Sequence, residues 1–144
     1  LDNETRNEVV EDTQEREGIA RAQLAAAWRP FLNRVTFIAV TGSCGKTTTV
    51  SLIGSLLAED RQISIGVRYN TMRATSRTLL RTKPWYRACV QEVSGHAPGA
   101  IRPQMALLRP RVGIITMVGS DHLKAFRSKD AIAHEKAELV RRLP

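Results

Sequence analysis

Residues 40–49 read VTGSCGKTTT, from Val40 to Thr49, and their interpretation decides the fold. The run resembles a phosphate-binding loop. Counting back from Gly45, however, puts Val40 where the pattern G-x-x-x-x-G-K-[ST] has its first glycine. The flanks argue that the loop is a variant and not an accident. Before it, RVTFIAVT (Arg34 to Thr41) is a short apolar, β-branched run, as a parallel strand buried on both faces should be. After it, KTTTVSLIGSLLAED places Val50, Ile53, Leu56 and Leu57 at helical spacing.

A loop between strand and helix sits where the first N–H groups of the helix lack partners and the helix dipole is positive, so backbone alone can hold an anion. Thr41, Gly42, Ser43, Cys44, Gly45, Lys46, Thr47 and Thr48 are therefore the expected nucleotide-binding residues. Gly42 and Gly45 permit the tight turn, Lys46 can reach the β- and γ-phosphates, and the Thr47 hydroxyl can ligate Mg²⁺.

Outward from the loop, the chain alternates strands and helices. Asn3 to Trp28 reads as a charged helix that becomes alanine-rich and is stopped by Pro30. QISIGV (Gln62 to Val67) suggests a second strand, followed by a polar, arginine-rich connection to Pro84. YRACVQEVS reads as a third strand, APGAIRPQMALL as a weak helix broken by prolines, and RVGIITMVG as a fourth strand. In SKDAIAHEKAELVRRL, Ser128 can cap a last helix, with Ile132, Leu139 and Val140 near one face. The expected fold is α/β, a doubly wound, mostly parallel sheet of the P-loop NTPase type.

The 144 residues amount to about one domain. The chain starts at Leu1 and stops at Pro144 after a helical pattern, as an incomplete domain of a longer protein would. No apolar run approaches the roughly 20 residues of a membrane span and no secretory signal is visible, so a cytoplasmic location is expected. Cys44 and Cys89 lack metal-ligand spacing and read as free thiols.

The net charge of +8 is uneven. Seven of the 14 acidic residues lie in Leu1 to Glu17, whereas Arg61 to Arg111 holds ten Lys or Arg against one acid, Glu92. That half should attract anions. Nucleic acid is a poor candidate, because only Tyr69, Trp85 and Tyr86 are there to stack on bases. A small polyanionic substrate fits at least as well. Arg73, Arg77 and Arg81 recur every four residues and would share one face of a helix, either as a substrate clamp or as a solvated basic face.

In doubly wound sheets ligands gather at the carboxyl ends of the strands. Strand three runs into EVSGHAPG, with Glu92, Ser94 and His96, and strand four into GSDHLKAF, with Asp121 and His122. Glu92 and His122 are candidate Mg²⁺ ligands facing one cleft from neighbouring strands. Singly, Glu92 also suits a structural carboxylate and His122 a helix cap.

In this order and spacing, TGSCGKTTT, EVSGHAPG, GSDHL and AIAHEKAEL resemble the central ATP-binding domain of the Mur ligase family, the amide-forming ligases of peptidoglycan precursor synthesis and their relatives. The family's loop, T-G-[ST]-x-G-K-[ST]-[ST], also lacks the first glycine, which accounts for Val40. The resemblance covers about Val35 to Leu139. It divides the chain into an N-terminal helical segment or linker, 1–33, and part of an ATP-binding domain, 34–144.

The resemblance implies ATP and Mg²⁺. The residues matching Thr47 and Glu92 hold one metal ion, the histidine matching His122 helps hold a second, and the lysine matching Lys136 is often carbamoylated. From His122 to Lys136 is 136 − 122 = 14 residues, as in the family. Lys46, His122 and Lys136 are thus the implied catalytic residues. The reaction implied is attack of a carboxylate on the γ-phosphate and displacement of phosphate from the acyl phosphate by an amine. The acid would be a small anionic carboxylate such as a UDP-muramyl peptide, and the amine an amino acid or dipeptide, with further domains or a partner chain completing the site.

Two departures bear on substrate contacts: Met117 stands where the family has asparagine, and Gly95 where it has serine. The serine-containing loop and AIAHEKAEL lean towards the enzyme that adds the terminal dipeptide. Polyglutamate- and cyanophycin-type ligases, another P-loop ATPase or kinase, and a non-catalytic nucleotide-binding domain stay open.

Overall fold

The computed structural model describes residues 3–58, 62–67 and 71–144, with side chains from Thr13 onward. Tyr69, and the acidic side chains of the first 12 residues, lie outside the described residues. Four parallel strands form one sheet: β1 (Thr36–Thr41), β2 (Ile63–Gly66), β3 (Ala88–Glu92) and β4 (Val112–Ile115), in the order β2-β3-β1-β4. The helices are α1 (Asn3–Trp28), α2 (Lys46–Leu57), α3 (Met72–Arg81), α4 (Ile101–Leu108), the short α5 (Leu123–Phe126) and α6 (Lys129–Arg141). This is the expected doubly wound α/β architecture.

Alternation along β1 splits the core in two. Phe37 and Ala39 share one face, where they pack with Leu79, Met105, Leu108 and Leu139 of the helices behind the sheet. Ile38 and Val40 turn to the other face, against Val50 and Ile53 of α2. Because α2 covers that face alone, only its inner stripe is buried. Leu56 and Leu57, expected on the apolar face, are exposed, Leu56 at 77%. Val140 of α6 is likewise exposed, while Ile132 and Leu139 are fully buried.

Two elements differ from expectation for identifiable reasons. The arginine-rich connection contains α3, whose buried stripe joins Leu79 to three hydroxyl residues, Thr75, Ser76 and Thr78. Ser76 and Thr78 donate to the carbonyls of Met72 and Ala74 at 2.8 and 3.2 Å, so the helix buries polar residues without orphaning them. The weak helix is an intact α4. Pro103 falls in its first turn, where a missing N–H breaks no helical bond, and Pro110 follows the left-handed C-cap residue Arg109.

The strand order also corrects one expectation. β1 lies between β3 and β4, so the strands leading to Glu92 and His122 are not neighbours. The register nonetheless puts Glu92 opposite Val40 and Ile115 opposite Thr41, so the two strands flanking β1 end level with the start of the loop.

Phe37 is 1% exposed at the centre of the larger core. Phe37→Ala should reduce unfolding free energy by about 3–5 kcal/mol. Leu56→Ala should change it by no more than about 0.5 kcal/mol. Urea titrations of both variants check this contrast; similar losses would contradict the assignment of the two faces.

Candidate nucleotide-binding site

The loop leaves β1 through Gly42, whose φ of 151° no L side chain adopts easily and where a Cβ would overlap the Thr116 hydroxyl. It enters α2 through Gly45, at φ 78° and with no side-chain cap. The first helical bond runs from the Thr49 N–H to the Gly45 carbonyl at 2.9 Å, which leaves the preceding N–H groups outside the helical ladder. Lys46 Nζ folds back to donate to the Gly42 carbonyl at 2.6 Å. The Thr47 hydroxyl donates to Glu92 Oε2 at 2.9 Å across the β1–β3 boundary. Thr41 is buried beneath the loop, and Cys44 and Thr48 are exposed at its surface.

The chain after β4 holds the other side of the loop. Thr116 donates its hydroxyl to the Cys44 carbonyl at 2.5 Å, and the Ser43 N–H donates to the Met117 carbonyl at 2.8 Å. Met117 thus contacts the loop through its backbone, with its sulfur 3.8 Å from that of Cys44. The Ser43 hydroxyl accepts from the Gly119 N–H at 2.7 Å and donates to Asp121 Oδ1. The half-buried Ser43 side chain thus links the loop to the segment after β4.

Asp121 Oδ2 pairs with Lys136 Nζ at 3.4 Å. Lys136 is only 2% exposed. Burial lowers its pKa; Asp121 opposes that shift without cancelling it, and Lys46 adds to it. Partial burial pushes the Asp121 carboxyl up, but the Ser43 hydroxyl and Lys136 outweigh it and leave it below the ordinary value. His122 caps α5 at φ 55°, 45% exposed, with Nε2 3.8 Å from Asp121 Oδ2. Lys46, Thr47 and Glu92 are therefore brought together, Lys136 joins the loop through Asp121, and His122 stands at the rim. Among the described residues no three His, Cys, Asp or Glu side chains form a metal-like cluster.

Three contributors escaped sequence reasoning: Thr116, Asp121 as a junction, and Glu135. Glu135 accepts from the Gly99 and Ile101 N–H groups at 2.7 and 2.8 Å, capping α4 from α6. A Cβ on Gly95 would lie 2.9 Å from Glu135 Cγ, so the glycine makes room for this capping side chain. The partners of Thr116 and Glu135 are 34 or more residues away in sequence, and Asp121 joins Ser43, 78 residues away, to Lys136, 15 residues away; no local pattern announces such bonds. Cys89 is buried, and burial pushes its thiol up to about 11.

A parallel α/β sheet here carries a glycine-containing loop, a lysine and a threonine at a helix N-terminus, and a carboxylate from the adjacent strand, an arrangement suited to an anion. Residues 40–144 match the Mur ligase middle domain, and the chain belongs to the Mur ligase family. It is 34% identical to the UDP-N-acetylmuramoyl-tripeptide--D-alanyl-D-alanine ligase of Synechocystis sp. over 94% of this chain and 29% of that protein. The ligase of the same name from Escherichia coli is 28% identical, over 94% and 29%. Among solved structures, MurF from Acinetobacter baumannii superposes with a TM-score of 0.83 at 29% identity, over 88% of this chain and 28% of that one. MurF ligase from Thermotoga maritima in complex with ADP gives 0.77 at 26% identity, over 88% and 30%. The chain thus spans less than a third of the length of these relatives. No helix among the described residues is long and apolar enough to cross a membrane.

The Asp121 shift has a definite sign. A carboxyl with a lowered folded-state pKa contributes stability that is present above its unfolded value, about 3.9, and is lost as pH falls through the folded value. Asp121→Asn should be less stable than the parent at pH 6, and the gap should narrow steadily below about pH 4. Thermal unfolding across that range measures it; a gap independent of pH would refute the ion pair.

Proposed function

We propose that this chain is the ATP-binding part of an ATP-dependent ligase that joins a carboxylate to an amine through an acyl phosphate. The observation that carries the reading is the convergence of Lys46, Thr47 and Glu92 at the N-terminus of α2, in a chain of this family. The names of its relatives support a UDP-muramyl tripeptide as the acid and D-alanyl-D-alanine as the amine, and so a cytoplasmic step of peptidoglycan precursor synthesis. Residues 34–144 are read as the ATP-binding domain and 1–33 as the segment leading into it.

The residues fit Mg²⁺. The Thr47 hydroxyl and the Glu92 carboxylate are hard oxygen donors beside the loop, and few protein ligands suffice when phosphates supply the rest. When bound, the ion would neutralise charge on the β- and γ-phosphates. Lys46 would leave the Gly42 carbonyl for the phosphates, and the free N–H groups of α2 would take their oxygens. A carboxylate oxygen of the acid attacks the γ-phosphorus, the bond to ADP breaks, and the amine then displaces phosphate from the acyl group. Lys136 has the buried amine of lowered pKa that carbamate formation needs, and as a carbamate it would join His122 at a second ion.

In the full-length protein, Lys46→Ala should weaken ATP binding at least about tenfold, since a charge-assisted contact is lost. Calorimetry with Mg²⁺ measures this, and equal affinity would end the nucleotide assignment. Lys136→Ala should lose turnover and regain part of it when a short carboxylic acid is supplied. Undiminished turnover would remove Lys136 from the metal site while leaving the loop assignment intact.

A further inference from the structure

Arg73, Arg77 and Arg81 have no part in the site above. All three are exposed on α3, on the side opposite its buried Thr75, Ser76 and Leu79. Among the described residues none of the three is held in an ion pair or a side-chain hydrogen bond. At the helical rise they span roughly 12 Å, with neighbours roughly 6 Å apart. The helix lies along β2, the outermost strand, so the ridge is separated from the loop on β1 by β3 and about 10 Å of sheet.

Two hollows flank this ridge. One of about 290 Å³ is bordered by Thr71, Arg73 and Arg77. The other, about 200 Å³ between β2 and α3, is bordered by Ser64, Gly66, Arg77 and Arg81. Arg77 borders both, and among the described residues no acidic one borders either. The single acid of the basic half, Glu92, is buried against Thr47 and cannot neutralise the ridge. A solvated basic face would share the spacing of these arginines, but it would not need concave ground on both sides of the central guanidinium.

We propose that the β2–α3 edge is a second anion site, one that takes a condensed phosphate or a diphosphate ester. Planar guanidinium groups grip phosphate oxygens in pairs, and charges at roughly 6 Å intervals suit linked phosphoryl groups better than a single one. Arg77 is the shared contact, and Arg73 and Arg81 hold the ends. This assignment goes beyond the ligase reading and does not depend on turnover.

The test uses the full-length protein carrying Lys46→Ala, which weakens the loop site, with tripolyphosphate as the probe in calorimetry. Saturable binding should persist in that background and fall at least tenfold on adding Arg77→Ala and Arg81→Ala. Arg77→Lys should retain only part of the affinity, because the charge remains and the fork is lost. The arginines are exposed, so an unchanged thermal midpoint serves as the folding control. UDP measured beside tripolyphosphate separates the sources: whichever binds more tightly, and loses that binding in the double arginine variant, identifies the ligand as nucleotide ester or free polyphosphate. Loss of all tripolyphosphate binding with Lys46→Ala alone, or equal binding with and without the two arginines, would overturn the site. Tighter binding of a single-stranded RNA of equal charge through the same arginines would overturn the small-anion assignment.

Discussion

The carboxylate of Asp121 is the junction on which the site depends. One oxygen takes the Ser43 hydroxyl of the loop and the other the buried ammonium of Lys136 on α6, so three segments distant in sequence meet at one anion. A lysine as buried as Lys136 is tolerable only with such a partner, because an unpaired ammonium away from water is strongly disfavoured. The pair therefore fixes where α6 sits relative to the loop. The Thr116 hydroxyl and the Ser43–Met117 backbone bond tie the same loop to the end of β4.

Around this junction two ammonium groups, Lys46 and Lys136, are gathered with two carboxylates, Glu92 and Asp121. Lys46 is satisfied only by a carbonyl, and Lys136 feels Lys46 as well as Asp121. The N-terminus of α2 adds its dipole and unpaired N–H groups. Glu92 and Asp121 are the counterweights, one on each side of β1, and each is held by a hydroxyl of the loop or of the first turn of α2.

The supporting helices are positioned by polar bonds as much as by apolar packing. Glu135 caps α4, Gln104 of α4 donates to the Ser94 and Ala100 carbonyls, and Thr75 of α3 donates to Gln104. These bonds fix the segment after β3 that carries Gly95 and His96. They are buried or partly buried, where leaving one partner unmet is disfavoured by about 1–3 kcal/mol, so they select one docking of α3, α4 and α6 over looser alternatives.

The sequence by itself determined the alternation of strands and helices, the loop between β1 and α2 and the family, because these are written in local signals: β-branched runs, helical spacing, glycine positions and a lysine–threonine pair. It also marked Glu92, His122 and Lys136, through motifs whose spacing survives in one dimension. Tertiary structure alone decided which strands are neighbours, since order in a parallel sheet depends on crossovers that no local pattern encodes. It likewise decided that Leu56, Leu57 and Val140 face outward, because helical spacing says which residues share a face but not whether anything covers it. α3 hid its helical character behind hydroxyls that are buried only because its carbonyls accept from them. Asp121, Thr116 and Glu135 acquired their roles for the same reason: a hydrogen bond between residues far apart in the chain exists only once packing has brought donor and acceptor together.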